Sequence, residues 1–224
     1  QGLFAGRGAL LVCGLAAGTV AIALGWLVLA GAVGGAGGWP VLAGVLLAAI
    51  CAFLIFNLRN PWRRKAACFL GDAGSMVIGF GLAWFAVEAA AGEAPVLPPV
   101  AIAWILALPI VDTITLASQR VLRGAAPFQP DREHLHHILF YRAGLNPAQT
   151  ASVLLAVSAI LGGIGVLGAW AGVPDWLLML LLVPVAAAQV LVHAKAWRFA
   201  RLLRRGLRCA RWRSRNAIQR RVAR

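Results

Sequence analysis

Charged residues are scarce in this chain. Asp, Glu, Lys and Arg make up 12% of its 224 residues, where a soluble domain usually carries about 25%. Hydrophobic residues make up 61%. This balance excludes an ordinary water-soluble domain and makes lipid the relevant solvent. Acids are rarer still, seven against 21 basic residues. The resulting net charge of +14 would suggest nucleic-acid binding in a soluble protein, but beside a membrane its location matters more than its size. The four cysteines, at positions 13, 51, 68 and 209, show no CxxC or other ligand spacing. They form neither a disulfide framework nor a zinc site and are read as small apolar fillers or idle thiols. No signal peptide is expected, because the apolar run after Arg7 is far longer than an h-region. The chain does not begin with Met, so the expectation is that it starts partway through a larger protein.

What the chain has in abundance is long apolar runs. A spanning helix needs about 20 apolar residues, and six segments meet or approach that length: 9–33, 39–56, 73–91, 99–118, 149–170 and 176–197. The short connections 34–38, 92–98 and 171–175 contain no Lys or Arg. The long ones are basic, with Arg59, Arg63, Arg64 and Lys65 in one and Arg120, Arg123, Arg132 and Arg142 in the next. From Lys195 to Arg224 the tail holds 12 of the 21 basic residues. By the positive-inside rule both termini and both long loops face the cytoplasm. The predicted fold is therefore all-α: a polytopic bundle of about six transmembrane helices. Residues 1–197 form the membrane domain and 198–224 a basic cytoplasmic tail. That tail, with Trp197 and Trp212 interleaved, favours anionic lipid headgroups at about 1 kcal/mol per basic residue near the surface. RNA is the weaker reading of its arginines.

Glu88, Glu93 and Asp175 fall at outer span ends, where water reaches them. Asp72, Asp112, Asp131 and Glu133 fall on the inner side. An acid near the bilayer is costly enough to be a functional hypothesis, so the working face is expected to be cytoplasmic.

Two segments concentrate chemistry there. In Phe69-Leu70-Gly71-Asp72-Ala73-Gly74-Ser75, Asp72 opens the third span. A carboxylate at that position can simply cap the helix and complement its dipole. Gly71 and Gly74, however, clear its flanks for a backbone, phosphate or metal, and Ser75 with Gly79 makes a small-xxx-small face suited to tight packing. The second segment, Pro127-Phe128-Gln129-Pro130-Asp131-Arg132-Glu133-His134-Leu135-His136-His137, gathers three of the four histidines. If 131–141 is helical, Asp131, His134 and His137 share a face and His136 turns away. Arg132 can hold phosphate oxygens through two N–H groups, and the histidines can donate to a pyrophosphate or bind a metal. A wet, charged loop is the plain alternative. Asp112, in Pro109-Ile110-Val111-Asp112-Thr113, is either an ion-pair partner, with Arg120 two turns on, or a wall of the site. Asn57 is a lesser candidate for hydrogen bonding to substrate, and His193, near the end of the last span, reads as an interfacial residue.

Together FLGDAGS at 69–75, PIVDT at 109–113 with Arg120, and PFQPDREHLHH at 127–137 resemble the polyprenyl-phosphate N-acetylhexosamine-1-phosphate transferases, the family of WecA and MraY. PDR before HxHH is similar to the WecA-like branch. The resemblance covers essentially residues 1–200. It implies transfer of N-acetylglucosamine-1-phosphate, or a related sugar-1-phosphate, from a UDP-N-acetylhexosamine to undecaprenyl phosphate, with release of UMP. The implied cofactor is Mg²⁺, with Mn²⁺ as a substitute, and Asp72 would be a metal ligand with a catalytic role. Arg132, His134, His136 and His137 would bind the nucleotide's pyrophosphate and sugar, His134 also catalytically, and Asp131 would orient them. A homodimer is compatible with the resemblance. The family's adjacent aspartates and its IDGxDGL motif lie upstream of FLGD. This chain has no Asp-Asp, and Gln1-Gly2-Leu3-Phe4-Ala5-Gly6 resembles only the end of IDGxDGL. The chain is thus read as the C-terminal part of such a transferase, expected to bind substrate weakly and turn over little by itself. The rival from another class is a non-catalytic membrane scaffold that binds lipid phosphate. A transporter is disfavoured, because the inner-side charges cluster at helix ends rather than at mid-membrane.

Overall fold

The structure is a computed structural model describing residues 2–58, 68–122, 124, 126 and 134–195. Among these, all regular structure is helical. Helix α1 spans Gly2–Val33, α2 Trp39–Asn57, α3 Gly71–Ala91, α4 Pro99–Ile105, α5 Ala107–Leu122, α6 Leu135–His137, α7 Pro147–Trp170 and α8 Asp175–Ala194, with a π-helical turn at Ile138–Arg142 after α6. Among the described residues five helices are long and apolar enough to cross a membrane, and α4 with α5 passes the same test as a bent pair, a sixth span if the two are counted as one. The chain is a polytopic helical membrane bundle, as its apolar runs predict.

Helix α1 is the central element, packed against α2, α3 and α7. Between helices in lipid there is little hydrophobic driving force, so close approach depends on small residues. Here these are glycines that admit tryptophans. Gly162 and Gly163 of α7 lie against the Trp26 ring of α1, whose Nε1 donates to the Ala159 carbonyl at 3.2 Å. Gly165 takes the base of Trp104 on α4: a Cβ there would collide with Trp104 Cβ and stand 3.1 Å from the Ala101 carbonyl. Trp104 in turn donates from Nε1 to the Leu178 carbonyl of α8 at 3.0 Å. The outward faces stay apolar, as Met76, Val77, Phe80 and Trp84 of α3 illustrate. Such a surface suits a bilayer and would be a liability in water.

The fourth span departs from the expected continuous helix over 99–118. It breaks at Leu106 (φ −99°, ψ 6°), and the two halves meet at 76°. The cause is Pro109. In an unbroken helix its ring would meet the Ile105 carbonyl and its missing N–H would leave that carbonyl unpaired. After the break, Pro109 sits in the first turn of α5, where no such bond is needed. The helix resumes with Ile110 N–H donating to the Leu106 carbonyl at 3.1 Å.

The expected helix over 131–141 is also different. His134 has extended backbone (ψ 150°) and precedes α6, so a helical face running from His134 to His137 does not form. Ser75 and Gly79 are both exposed, and a Cβ on Gly79 would meet nothing within 4 Å. The small-xxx-small face of α3 is therefore open among the described residues rather than packed.

Candidate active site

The break at Leu106 turns α5 away from α4 and places Asp112 at the centre of a polar cluster. Asp112 Oδ2 lies 2.9 Å from His134 Nδ1, and Oδ1 accepts from the Leu135 backbone N–H at 3.1 Å. On its other side, Oδ1 lies 2.9 Å from His193 Nε2 of α8, whose side chain is 1% exposed. His193 Nδ1 is 2.9 Å from the Gln189 carbonyl, and Gln189 Nε2 donates to the Leu108 carbonyl at 3.0 Å. One carboxylate thus joins α5, the histidine loop and the last span. Asp112 is a polar partner of two histidines and part of the wall of the cavity described below.

The three loop histidines are stacked in sequence. The His134 and His136 rings are 5.5 Å apart at 14°, and those of His136 and His137 are 4.2 Å apart at 43°. His136 is therefore between its neighbours and not turned away, because His134 is extended rather than helical. Burial, followed by the nearby His137 and His134 rings, pushes the His136 pKa down from 6.5 to about 4. It is neutral at pH 7 and keeps one N–H donor. Its Nε2 is buried without a hydrogen-bond partner among the described residues.

His134, His136 and Asp112 form the polar end of a cavity of about 330 Å³. The rest of the wall is mostly apolar, including Leu15 and Val20 of α1, Leu82 of α3, Leu106, Leu108 and Pro109 at the break, and Leu154 of α7. Irregular backbone at membrane depth is tolerated where it lines such a cavity, and Leu106 does so. The cavity is thus an apolar volume with imidazoles and a carboxylate in its wall.

Asp72 is exposed in the first turn of α3. The N-cap position is Leu70, which has no side-chain cap, and the Asp72 carbonyl accepts from Ser75 Oγ at 2.8 Å. Gly71 before it has φ +71°, a conformation that glycine adopts without strain. Asp72 does not line the cavity of the histidines. Among the described residues no three His, Cys, Asp or Glu come together as a metal site, and both Asp112 oxygens already have partners. One open carboxylate falls short of the oxygen ligands Mg²⁺ needs, so the described residues do not by themselves fit the ion.

Asn57 is 3% exposed, donates from Nδ2 to the Cys68 carbonyl at 2.8 Å, and packs where a Cβ on Gly14 of α1 would collide with its Oδ1. Its amide ties the end of α2 to the segment that leads into α3. Asp131, Arg132 and the tail 198–224 lie outside the described residues. Sequence reasoning passed over Gln189 and read His193 as interfacial. Their signal was two polar residues four apart in an otherwise apolar span, a spacing that puts both on one face.

The profile of glycosyl transferase family 4 matches residues 12–90. Among curated proteins, the undecaprenyl-phosphate alpha-N-acetylglucosaminyl 1-phosphate transferase of Escherichia coli K12 is 34% identical over 161 residues, 71% of this chain and 43% of that protein. The proteins of the same name from Haemophilus influenzae and Yersinia pestis are 36% and 35% identical, over 71% and 76% of this chain and 45% and 47% of theirs. The chain thus spans less than half the length of these curated relatives. No solved structure matches it.

Proposed function

This chain belongs to glycosyl transferase family 4, and we propose that it forms part of an enzyme that transfers N-acetylglucosamine-1-phosphate from its UDP-sugar to undecaprenyl phosphate. The relatives' names supply the substrates for this reading. The supporting observation in the structure is the cavity itself: an apolar volume whose polar end carries His134, Asp112 and the unpartnered Nε2 of His136.

In the proposed reaction an oxygen of the lipid phosphate attacks the sugar-bearing phosphorus of the nucleotide. A new P–O–P bond forms, the bond from the sugar-bearing phosphorus to the oxygen bridging the two nucleotide phosphates breaks, and UMP leaves with that oxygen and the electron pair. Two anions must be held together, and much of the catalysis lies in positioning and charge stabilisation. His136, neutral and desolvated, offers a hydrogen bond to a phosphate oxygen. Arg132 is assigned to grip the diphosphate bidentately, His137 to bind beside it, and Asp131 to orient these groups. Asp72 is assigned as one ligand of a Mg²⁺ ion, which when bound offsets phosphate charge. We place the reaction at the cytoplasmic face of a bacterial inner membrane, because the basic connections and tail all fall on one side. Anionic lipid then meets the tail.

The test is transfer of radiolabelled N-acetylglucosamine-1-phosphate to undecaprenyl phosphate by the full-length protein in nanodiscs. Labelled lipid product that disappears in His136→Ala supports the reading. Absence of any product from the wild-type protein with both substrates and Mg²⁺ present overturns it and favours a lipid-phosphate-binding scaffold.

A further inference from the structure

Asp112 and His193 have no part in the chemistry just assigned, yet they are the most tightly tied polar groups in the described chain. A carboxylate with 15% of its side chain exposed, set against a histidine with 1%, is expensive in a membrane protein unless it does something. Its geometry indicates what. Asp112 grips the loop at two successive points, the His134 ring through Oδ2 and the next backbone N–H through Oδ1. That pair of contacts fixes both the position of the loop and the rotation of the His134 ring. His193 stands behind, 2.9 Å from Oδ1, itself held by the Gln189 carbonyl. The carboxylate therefore cannot swing toward the cavity without leaving partners on two helices.

A carboxylate only accepts hydrogen bonds, so a 2.9 Å contact with His134 Nδ1 requires the proton on Nδ1. In a neutral ring the lone pair then sits on Nε2, at the opposite edge. His134 is partly exposed, with 37% of its side chain accessible, and lines the cavity. We propose that Asp112, braced by His193, is a positioning residue that locks His134 as the Nδ1–H tautomer and presents its Nε2 as a hydrogen-bond acceptor to a substrate O–H in the cavity. His134 and His136 thereby take complementary roles, one accepting and the other donating. The wrong tautomer would aim a second N–H at the site and remove the lone pair that His134 offers there. The logic is that of a carboxylate behind an active-site histidine in other enzymes, where removing the charge while keeping the shape costs up to about 10⁴-fold in kcat.

The kinetic part of this inference rests on the transferase reading; the tautomer does not, and the two are measured separately. Full-length protein labelled with ¹⁵N-histidine is reconstituted in nanodiscs, and the imidazole nitrogens are assigned with single His→Gln variants. The expected wild-type signature is a protonated His134 Nδ1 and a bare Nε2. In Asp112→Asn, whose amide can donate to Nδ1, the proton moves to Nε2, and kcat falls at least about 100-fold while KM changes less than threefold. Asp112→Glu restores the Nδ1–H signature and part of kcat, and His193→Gln, which can still donate to the carboxylate, retains the signature. A wild-type His134 protonated on Nε2 alone overturns the proposal, as does an Asp112→Asn protein with unchanged tautomer and kcat. If Asp112→Asn does not fold, the wild-type signature and the Asp112→Glu and His193→Gln variants still decide. An inactive wild-type protein with the expected tautomer refutes the transferase reading and leaves the Asp112–His134 lock standing.

Discussion

Acid should destabilise this protein through His136 in particular, and by an amount the structure bounds. In the unfolded chain an imidazole takes up a proton below its ordinary pKa of 6.5. In the folded protein His136 does so only below about 4, because it is buried against two other imidazoles. Between these values the unfolded state binds a proton that the native state refuses, so stability rises with pH across the window and falls as pH drops through it. It is fully present above 6.5 and lost by about 4. At about 1.4 kcal/mol per tenfold change in proton affinity, the displacement corresponds to a ceiling of about 3 kcal/mol. Part of the ring remains accessible to solvent, so a loss of about 1–3 kcal/mol is expected. The assay is the unfolding free energy of the nanodisc-reconstituted protein from pH 7.5 to 4, for wild type and His136→Gln. The variant removes the titrating ring and leaves the other groups, so the difference between the two curves isolates His136. It should grow as pH falls below 6.5. Parallel curves across the window would refute the reasoning, because they would mean that the ring is no harder to protonate in the folded protein than out of it.

Gly165→Leu, which drives a side chain into Trp104 and the Ala101 carbonyl, should cost about 2–3 kcal/mol or more, read as a lowered thermal midpoint in detergent. Asn57→Leu should lose about 1–3 kcal/mol by leaving the Cys68 carbonyl without its donor, and, if the residue is purely structural, should leave KM for the nucleotide sugar unchanged in the protein that remains folded. The 224-residue chain alone should show little or no transfer in the radiolabel assay, and in the full-length enzyme Asp72→Asn should weaken Mn²⁺ binding measured by electron paramagnetic resonance. An unaffected Mn²⁺ affinity would remove Asp72 from the metal site.

The spans were legible because apolar length is a direct reading of bilayer thickness. Five of the six appear as single helices with ends displaced by a few residues, and the stretch 99–118 appears as the bent pair α4 and α5. The bend was not, although Pro109 was in plain view: apolar composition is the same on either side of a break, and only the clash with the Ile105 carbonyl reveals it. Grouping Asp112 with the histidines of the loop was half visible, since both were placed on one side of the membrane and their pairing was not. His193 was misjudged because a single residue near a helix end looks like an interfacial one. Only the register of α8 against α5 turns it inward. The small residues after Asp72 were read as a packing face by spacing alone, and spacing does not say which faces find a neighbour. Asn57 was read as a lesser candidate for hydrogen bonding to substrate, and in the structure its Nδ2 donates to the chain's own Cys68 carbonyl.

Leu108 and Asp112 on α5, Gln189 and His193 on α8, are each four residues apart and bonded across as two rungs. Those rungs work like teeth of a rack. Sliding α8 along α5 by one helical turn, about 5.4 Å, would disengage both at once and strand two polar side chains in hydrocarbon, so the last span has a single stable register. Any displacement of the histidine loop is then transmitted to a whole transmembrane helix, and a loop that would otherwise drift on the membrane surface is fixed to the depth of the bilayer.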